Sequence, residues 1–186
     1  MASDLALIER TNATVARMRF LIEQEFHASI GEVGAALTSA QYLSDGMAQL
    51  SDIGRPEITT YRVDESSVTL ALEYCFGGKL PSVVTKVIDP RRLSWVEDTV
   101  IDTETWTAQF AITPIHYASF FTCSGQWRLN ESKSMTTRVM DGLLKVNSPV
   151  PFVGGQVEKA IVSGLRERLA DEPQILERWL AARATK

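Results

Sequence analysis

Cysteine and histidine are scarce in this chain, and basic charge is outnumbered. Cys75 and Cys123 are its only cysteines. Two are too few for a disulfide scaffold and form no spaced metal motif, so reduced, buried thiols are expected. His27 and His116 are the only histidines, and with no Cys/His spacing they exclude a recognisable zinc site. The 19 Lys and Arg against 23 Asp and Glu give a formal net charge of −4. That balance excludes a general nucleic-acid binder, which needs a basic face to neutralise phosphates. The densest basic cluster, Arg91-Arg92, reads as a solvated pair.

Long apolar runs are missing too. No window reaches the roughly 18 apolar residues that a membrane span needs, so stable membrane insertion is not expected. The first residues lack the basic start and apolar run of a secretory signal, and a cytoplasmic location is expected. There is no internal repeat, low-complexity tract or interdomain linker. What remains is a chain of 186 residues, 45% apolar and 23% charged, which suits one globular domain.

Residues 1–14 read as an N-terminal extension, either a short amphipathic helix with Leu5 and Ile8 on its apolar side or a loose segment. From Val15 the pattern has a period of two. Met18, Phe20, Ile22, Gln24 and Phe26 alternate with Arg17, Arg19, Leu21, Glu23 and Glu25, which predicts an antiparallel strand wet on one face. Ser29 and Glu32 form a capping box for a short helix carrying Val33, Ala36 and Leu37. A second short helix is predicted over Ser39 to Gln49, weakened by Gly46, before Gly54 and Pro56 end the region.

Strands and turns follow. Ile58 to Val63 and Ser67 to Phe76 predict a hairpin through Asp64-Glu65-Ser66, with Val68, Leu70, Leu72, Tyr74 and Phe76 on one apolar face. Pro81 to Ile88 remains ambiguous, with the spacing of a helical turn pair starting at proline. Further strands are expected over Arg92 to Ile101, Thr105 to Thr113, Ser119 to Asn130 and Ser134 to Val146. After Val153-Gly154-Gly155, read as a hinge, the period becomes 3.6. Val157, Ile161, Gly164, Leu165, Arg168 and Leu169 line one side of the last helix. Glu158, Lys159 and Glu167 lie on the other, and Pro173 kinks or divides the helix before Ile175, Leu176, Trp179 and Leu180.

The predicted fold is therefore α+β: a curved antiparallel sheet of about six or seven strands, two short helices after the first, and a long C-terminal helix across the sheet. Met18-Arg19-Phe20 through Phe26-His27-Ala28-Ser29 with Glu32-Val33, and Val150-Pro151-Phe152-Val153-Gly154-Gly155-Gln156-Val157-Glu158, carry a resemblance. The chain from Val15 onward resembles the START-like or SRPBCC superfamily, with the helix-grip (Bet v 1-like) fold. Within it the chain is most similar to DUF2505, a mostly actinobacterial family of unknown function. The resemblance implies one domain over residues 15–186 and a cavity between sheet and C-terminal helix. Superfamily cavities hold lipids, sterols, polyketides and other apolar molecules. Some members are cyclases, and others only bind and carry.

No catalytic constellation is legible. His27 and His116 have no orienting carboxylate nearby in sequence. Asp64-Glu65 and Asp102 with Glu104 are turn carboxylates, and Gly154-Gly155 lacks the rest of a phosphate loop. No cofactor is implied. The candidate cavity lining is Leu72, Tyr74, Phe76, Trp95, Trp106, Phe110, Phe121 and Trp127, read as strand residues, with Val157, Ile161 and Leu165 from the helix. Residues alone leave a filled core and an open cavity equally open. Polar candidates are Tyr61, Arg62, Gln109, Thr137 and Arg138. The expected function is binding of an apolar small molecule or lipid. The alternatives are an enzyme of polyketide cyclase or aromatase type in the same cavity, and a domain that binds a partner with a filled interior. The oligomeric state is not legible.

Overall fold

The computed structural model describes residues 14–50, 54–77, 79–80, 82, 85, 89–117, 119, 121–148 and 154–184. The extension over residues 1–14 lies outside them except for Thr14. So does the ambiguous Pro81 to Ile88 segment except for Ser82 and Thr85.

Seven strands form one antiparallel sheet: β1 (Thr14–Phe26), β2 (Glu57–Val63), β3 (Ser67–Cys75), β4 (Ser94–Asp102), β5 (Thr107–Pro114), β6 (Phe121–Ser132) and β7 (Met135–Ser148). Their order is β1-β7-β6-β5-β4-β3-β2, so β2 to β7 meander and β1 lies beside β7 at the far edge. The chain crosses from one edge to the other through helix α1 (Ile30–Leu37) and two helical turns, Tyr42–Gly46 and Met47–Gln49. Helix α2 (Gly154–Ala184) packs on β1, β7, α1 and those turns. This is the helix-grip fold.

The inner face follows the predicted alternation. Phe20, Ile22, Gln24 and Phe26 of β1 are buried and Leu21 is exposed. Ser29 caps α1 with the predicted box: its hydroxyl accepts the Glu32 N–H, and the Glu32 carboxylate accepts the Ser29 N–H at 2.9 Å. Gly125 of β6 and Gly142 of β7 are register partners. A Cβ on Gly142 would lie 2.2 Å from the tip of the Phe20 ring, and one on Gly125 would lie 2.8 Å from that of Phe110. Two aromatic rings thus occupy the space that side chains would take on the inner face.

Several expectations need correction. The region from Ser39 to Gln49 is not one short α-helix. Tyr42–Gly46 forms a π-helical turn and Met47–Gln49 a 3₁₀ turn. The wider turn brings Tyr42 and Met47 inward together, with the Tyr42 ring over Gly46, where a Cβ would meet it at 2.4 Å. Arg92 belongs to a 3₁₀ turn, Pro90–Arg92, capped by Asp89, rather than to β4. Cys75 is exposed at the end of β3, and only Cys123 is buried; both thiols are free. Glu158 is buried rather than solvated. Gly154-Gly155 starts α2 directly, and no described glycine has positive φ.

Pro173 does not divide α2. A proline in a helix frees the carbonyl four residues earlier, here Leu169. The Gln24 side-chain amide donates to that carbonyl at 2.5 Å. A residue on β1 therefore takes up the bond that the helix cannot make.

Candidate functional site

The concave face of the sheet and the inner side of α2 bound the interior. The backbone of α2 lies close to β1 and β7, and its Arg168 side chain reaches the Tyr74 ring of β3.

The sequence-predicted lining largely converges there. Leu72, Tyr74, Phe110, Phe121, Trp127 and Val157 are buried members of one apolar cluster, and Trp95, Ile161 and Leu165 pack against it half-buried. Two residues depart from the reading. Trp106 lies in the turn between β4 and β5, at φ 51°, and not on a strand. Its ring meets α1 where a Cβ on Gly34 would stand 2.4 Å away, so it closes one end of the sheet against the helix. Phe76 falls just beyond β3, is half-buried and is not part of the cluster.

Two polar assemblies interrupt this apolar interior. The first joins Arg138 of β7, Gln24 of β1 and Glu172 of α2, all buried. Arg138 donates through Nε to Gln24 Oε1 at 2.7 Å, and through a terminal nitrogen to Gln24 Oε1 and to Glu172 Oε2. The Gln24 amide donates to Glu172 Oε2 at 3.1 Å. The Arg138 guanidinium also lies 5.8 Å from the centre of the Phe26 ring. A charge buried in this way is tolerable because it is paired and hydrogen-bonded. The assembly is closed on itself and fastens α2 to the β1/β7 edge.

The second assembly is not closed. Arg168 of α2 sits with its guanidinium 5.6 Å from the centre of the Tyr74 ring. Tyr74 stacks on Trp95 at 5.6 Å and 22°. Glu97 is two residues along β4 on the same face, with the Thr99 hydroxyl beside its carboxylate. Glu97 and Arg168 are both half-buried. Arg168 Nε is buried without a hydrogen-bond partner. No direct ion pair joins Glu97 to Arg168. Burial raises the Glu97 pKa above the usual glutamate range, and the cations Arg168 and Arg138 only partly offset that. Burial likewise pushes the Tyr74 phenol well up.

Other interior polar groups are more isolated. The Tyr42 hydroxyl is buried without a partner, its ring set edge-on to Trp179 at 5.3 Å. The Glu158 carboxylate accepts the Val146 N–H and has one buried oxygen unpaired, and burial raises its pKa.

Of the other polar candidates, only Arg138 is buried on the inner face. Tyr61 is exposed and donates to the Thr38 carbonyl at 2.8 Å. Arg62 and Gln109 are exposed, and Thr137 is half-buried on the outer face. His27 does have a carboxylate partner, supplied from far along the chain: its Nδ1 is 3.0 Å from Glu177 Oε1 on α2, at the surface. His116 is exposed. Two open depressions of about 570 and 970 Å³ lie on the outer face and are lined mainly by outward side chains such as Gln109, Gln126 and Asp141. They open on the side of the sheet away from α2.

Glu97, Arg168, Gln24 and Glu172 were not singled out from sequence, although signals existed. Arg168 interrupts the apolar stripe of α2. Glu97 shares its strand phase with Trp95 and Ile101, which places it inward.

A profile of the family described as "Protein of unknown function (DUF2505)" matches residues 22–180. No curated protein matches the chain. Among solved structures, the Thermus thermophilus protein TTHA0849 is similar at TM-score 0.61 and 16% identity, over 90% of this chain and 99% of its own. The ZhuI aromatase/cyclase from Streptomyces sp. R1128 is similar at TM-score 0.60 and 11% identity, over 91% of this chain and 96% of its own. The di-domain aromatase/cyclase StfQ of the steffimycin biosynthetic pathway is similar at TM-score 0.56 and 14% identity, over 88% of this chain and 46% of its own. At these identities the likeness is one of fold. Among the described residues, no helix is long and apolar enough to cross a membrane.

Proposed function

The chain belongs to the DUF2505 family of proteins of unknown function, and from its interior we propose that it binds an apolar small molecule or lipid between the concave face of the sheet and α2. The domain that does this runs over residues 15–186. The observation that carries the reading is the Arg168 Nε, buried without a hydrogen-bond partner beside the Tyr74 ring in an otherwise apolar part of the interior. The buried Arg138, Gln24 and Glu172, by contrast, satisfy one another. Around Arg168, the half-buried Trp95, Ile161 and Leu165 offer apolar surface, and burying a ligand there is worth roughly 25 cal/mol per Å² before the costs of association. Ligand sites combine such walls with a few placed polar groups.

Conversion of an apolar substrate in the same space is the weaker reading. A carboxyl with a raised pKa suits a general acid. No second titrating side chain hydrogen-bonds to Glu97 among the described residues.

Native mass spectrometry of protein purified without detergent tests the binding reading. An apolar molecule is expected to travel with the protein and to be lost from Leu165→Trp, whose added rings fill the space. A homogeneous apo mass, failure to take up a neutral fluorophore such as N-phenyl-1-naphthylamine, and a solid interior in a crystal structure would together overturn it.

A further inference from the structure

We propose that two copies of this chain pair edge to edge through β1, antiparallel, so that the sheet of one continues into the sheet of the other. Such pairing does not depend on what the interior binds.

The two edges of the sheet are built differently. β2 is short, and its register slips at a bulge between Ile58 and Thr60. Short and bulged strands are common protections against edge pairing. β1 runs over Thr14–Phe26 and keeps one unbroken register with β7. No strand pairs with its other side among the described residues. From Arg17 to Phe26 the only backbone hydrogen bonds among the described residues are those of the β7 ladder. Every second residue there directs its N–H and C=O outward, unpaired. Helix α2 covers the inner face of β1, where Phe20, Ile22, Gln24 and Phe26 are buried and Gln24 donates to the Leu169 carbonyl.

Charge selects the partner and the register. The outer face of β1 reads Arg17, Arg19, Leu21, Glu23, Glu25, all exposed, with Leu21 54% exposed at the centre. Two cations, one apolar residue and two anions make this row complementary to its own reverse. A two-fold axis normal to the sheet at Leu21 sets Leu21 against the partner's Leu21, Arg19 against the partner's Glu23 and Arg17 against the partner's Glu25. Positions of like parity then face each other, so outer face continues into outer face. On the inner side Phe20 meets the partner's Ile22. Opposite charges set across an antiparallel pair stabilise it, and like charges weaken it. Moving the axis to Phe20 or Ile22 keeps only one of the two charge pairings. Moving it to Arg19 or Glu23 sets that residue on its own copy. Arg19 has one competing contact, with Asp141 of β7 at 3.9 Å, and both side chains are exposed, so that pair is weak.

Sedimentation equilibrium of the full chain tests the pairing. The mass should rise from 20.6 kDa towards twice that value between about 1 µM and about 1 mM, the range of small interfaces. Arg17→Glu/Arg19→Glu makes the outer row of β1 acidic, and Glu23→Arg/Glu25→Arg makes it basic. All four side chains are exposed, so both variants should keep the wild-type circular dichroism. Each alone should associate at least about tenfold more weakly than the wild type. Mixed in equal amounts, they should form a heterodimer at least as tight as the wild-type dimer. Cross-linking reads the register. In a Cys75→Ser background, Leu21→Cys should form an intermolecular disulfide, since residues opposed across the axis have Cα atoms about 4.5–5.5 Å apart. Glu23→Cys, which faces the partner's Arg19, should not. A chain that stays monomeric at every concentration would overturn the proposal. So would a dimer that persists undiminished in both charge variants, or a mixture that associates no better than its components.

Discussion

Replacing Glu172 by leucine should unfasten α2 from the sheet. In the native protein Arg138 is buried and bonds to Gln24 Oε1 and Glu172 Oε2. Without Glu172 the guanidinium keeps the neutral Gln24 oxygen and the Phe26 ring 5.8 Å away, and no anion in contact. Gln24 still donates to the Leu169 carbonyl, so the loss falls on the buried cation. Breaking one side of such a pair costs about 3–5 kcal/mol. With a urea slope of about 2–3 kcal/mol/M, this lowers the unfolding midpoint by roughly 1–2 M. The double variant Arg138→Met/Glu172→Leu removes both charges and fills similar volume. It should return to within about 1 kcal/mol of the wild type or exceed it. Urea titration followed by tryptophan fluorescence and far-UV circular dichroism measures both. A native-like Glu172→Leu protein whose midpoint moves by less than about 0.3 M would refute the view that this assembly holds a desolvated charge.

Four further expectations follow from the packing and the titrating groups. Gly125→Ala places a methyl 2.2 Å from the Asp141 carbonyl oxygen, which belongs to the backbone, and Gly142→Ala meets the Phe20 ring tip at the same distance. Both should destabilise by about 1–3 kcal/mol in thermal unfolding, Gly125→Ala the more because backbone yields less than a ring. Gly164→Ala, exposed within α2 with open space around it, should stabilise by up to about 1 kcal/mol. In thiol titration with a disulfide reagent, Cys75 should react in the native protein. Cys123, buried and with its pKa pushed up to about 12, should react only after unfolding. Finally, Glu97 has a folded pKa raised above its unfolded value, so the folded state holds its proton more tightly. Its contribution is present at low pH and is lost as pH rises through the folded value. The stability of Glu97→Gln minus that of the wild type should therefore increase as pH rises from about 4.5, and be flat below it. A difference that does not change with pH would contradict the burial of Glu97.

Much of the architecture was legible because it repeats locally. Alternation in β1 and β3 fixed which residues face inward, and Ser29 with Glu32 announced the start of α1. The 3.6-residue period after Gly154 placed α2. Signals failed where a distant neighbour decides the outcome. Trp106 has the pattern of a strand aromatic, and instead takes a left-handed turn conformation with its ring in the space beside Gly34. The helical period puts Glu158 with Lys159 and Glu167 on the side away from the apolar stripe, yet it is buried against Val146 at the end of β7. Pro173 signals a break, and the break does not happen because Gln24, from the opposite end of the chain, takes the orphaned carbonyl.

By itself, then, the sequence determined the two periodicities, the strand phases, the cap and the apolar residues of the interior. These depend on neighbours within a few positions, where backbone geometry dictates which side chains share a face. Only the tertiary structure decided that Arg138 closes on Gln24 and Glu172 while the Nε of Arg168, beside Tyr74, stays unpaired. Whether a buried charge is satisfied depends on which side chains the fold brings within hydrogen-bond reach, and these come from strands and a helix far apart in the chain.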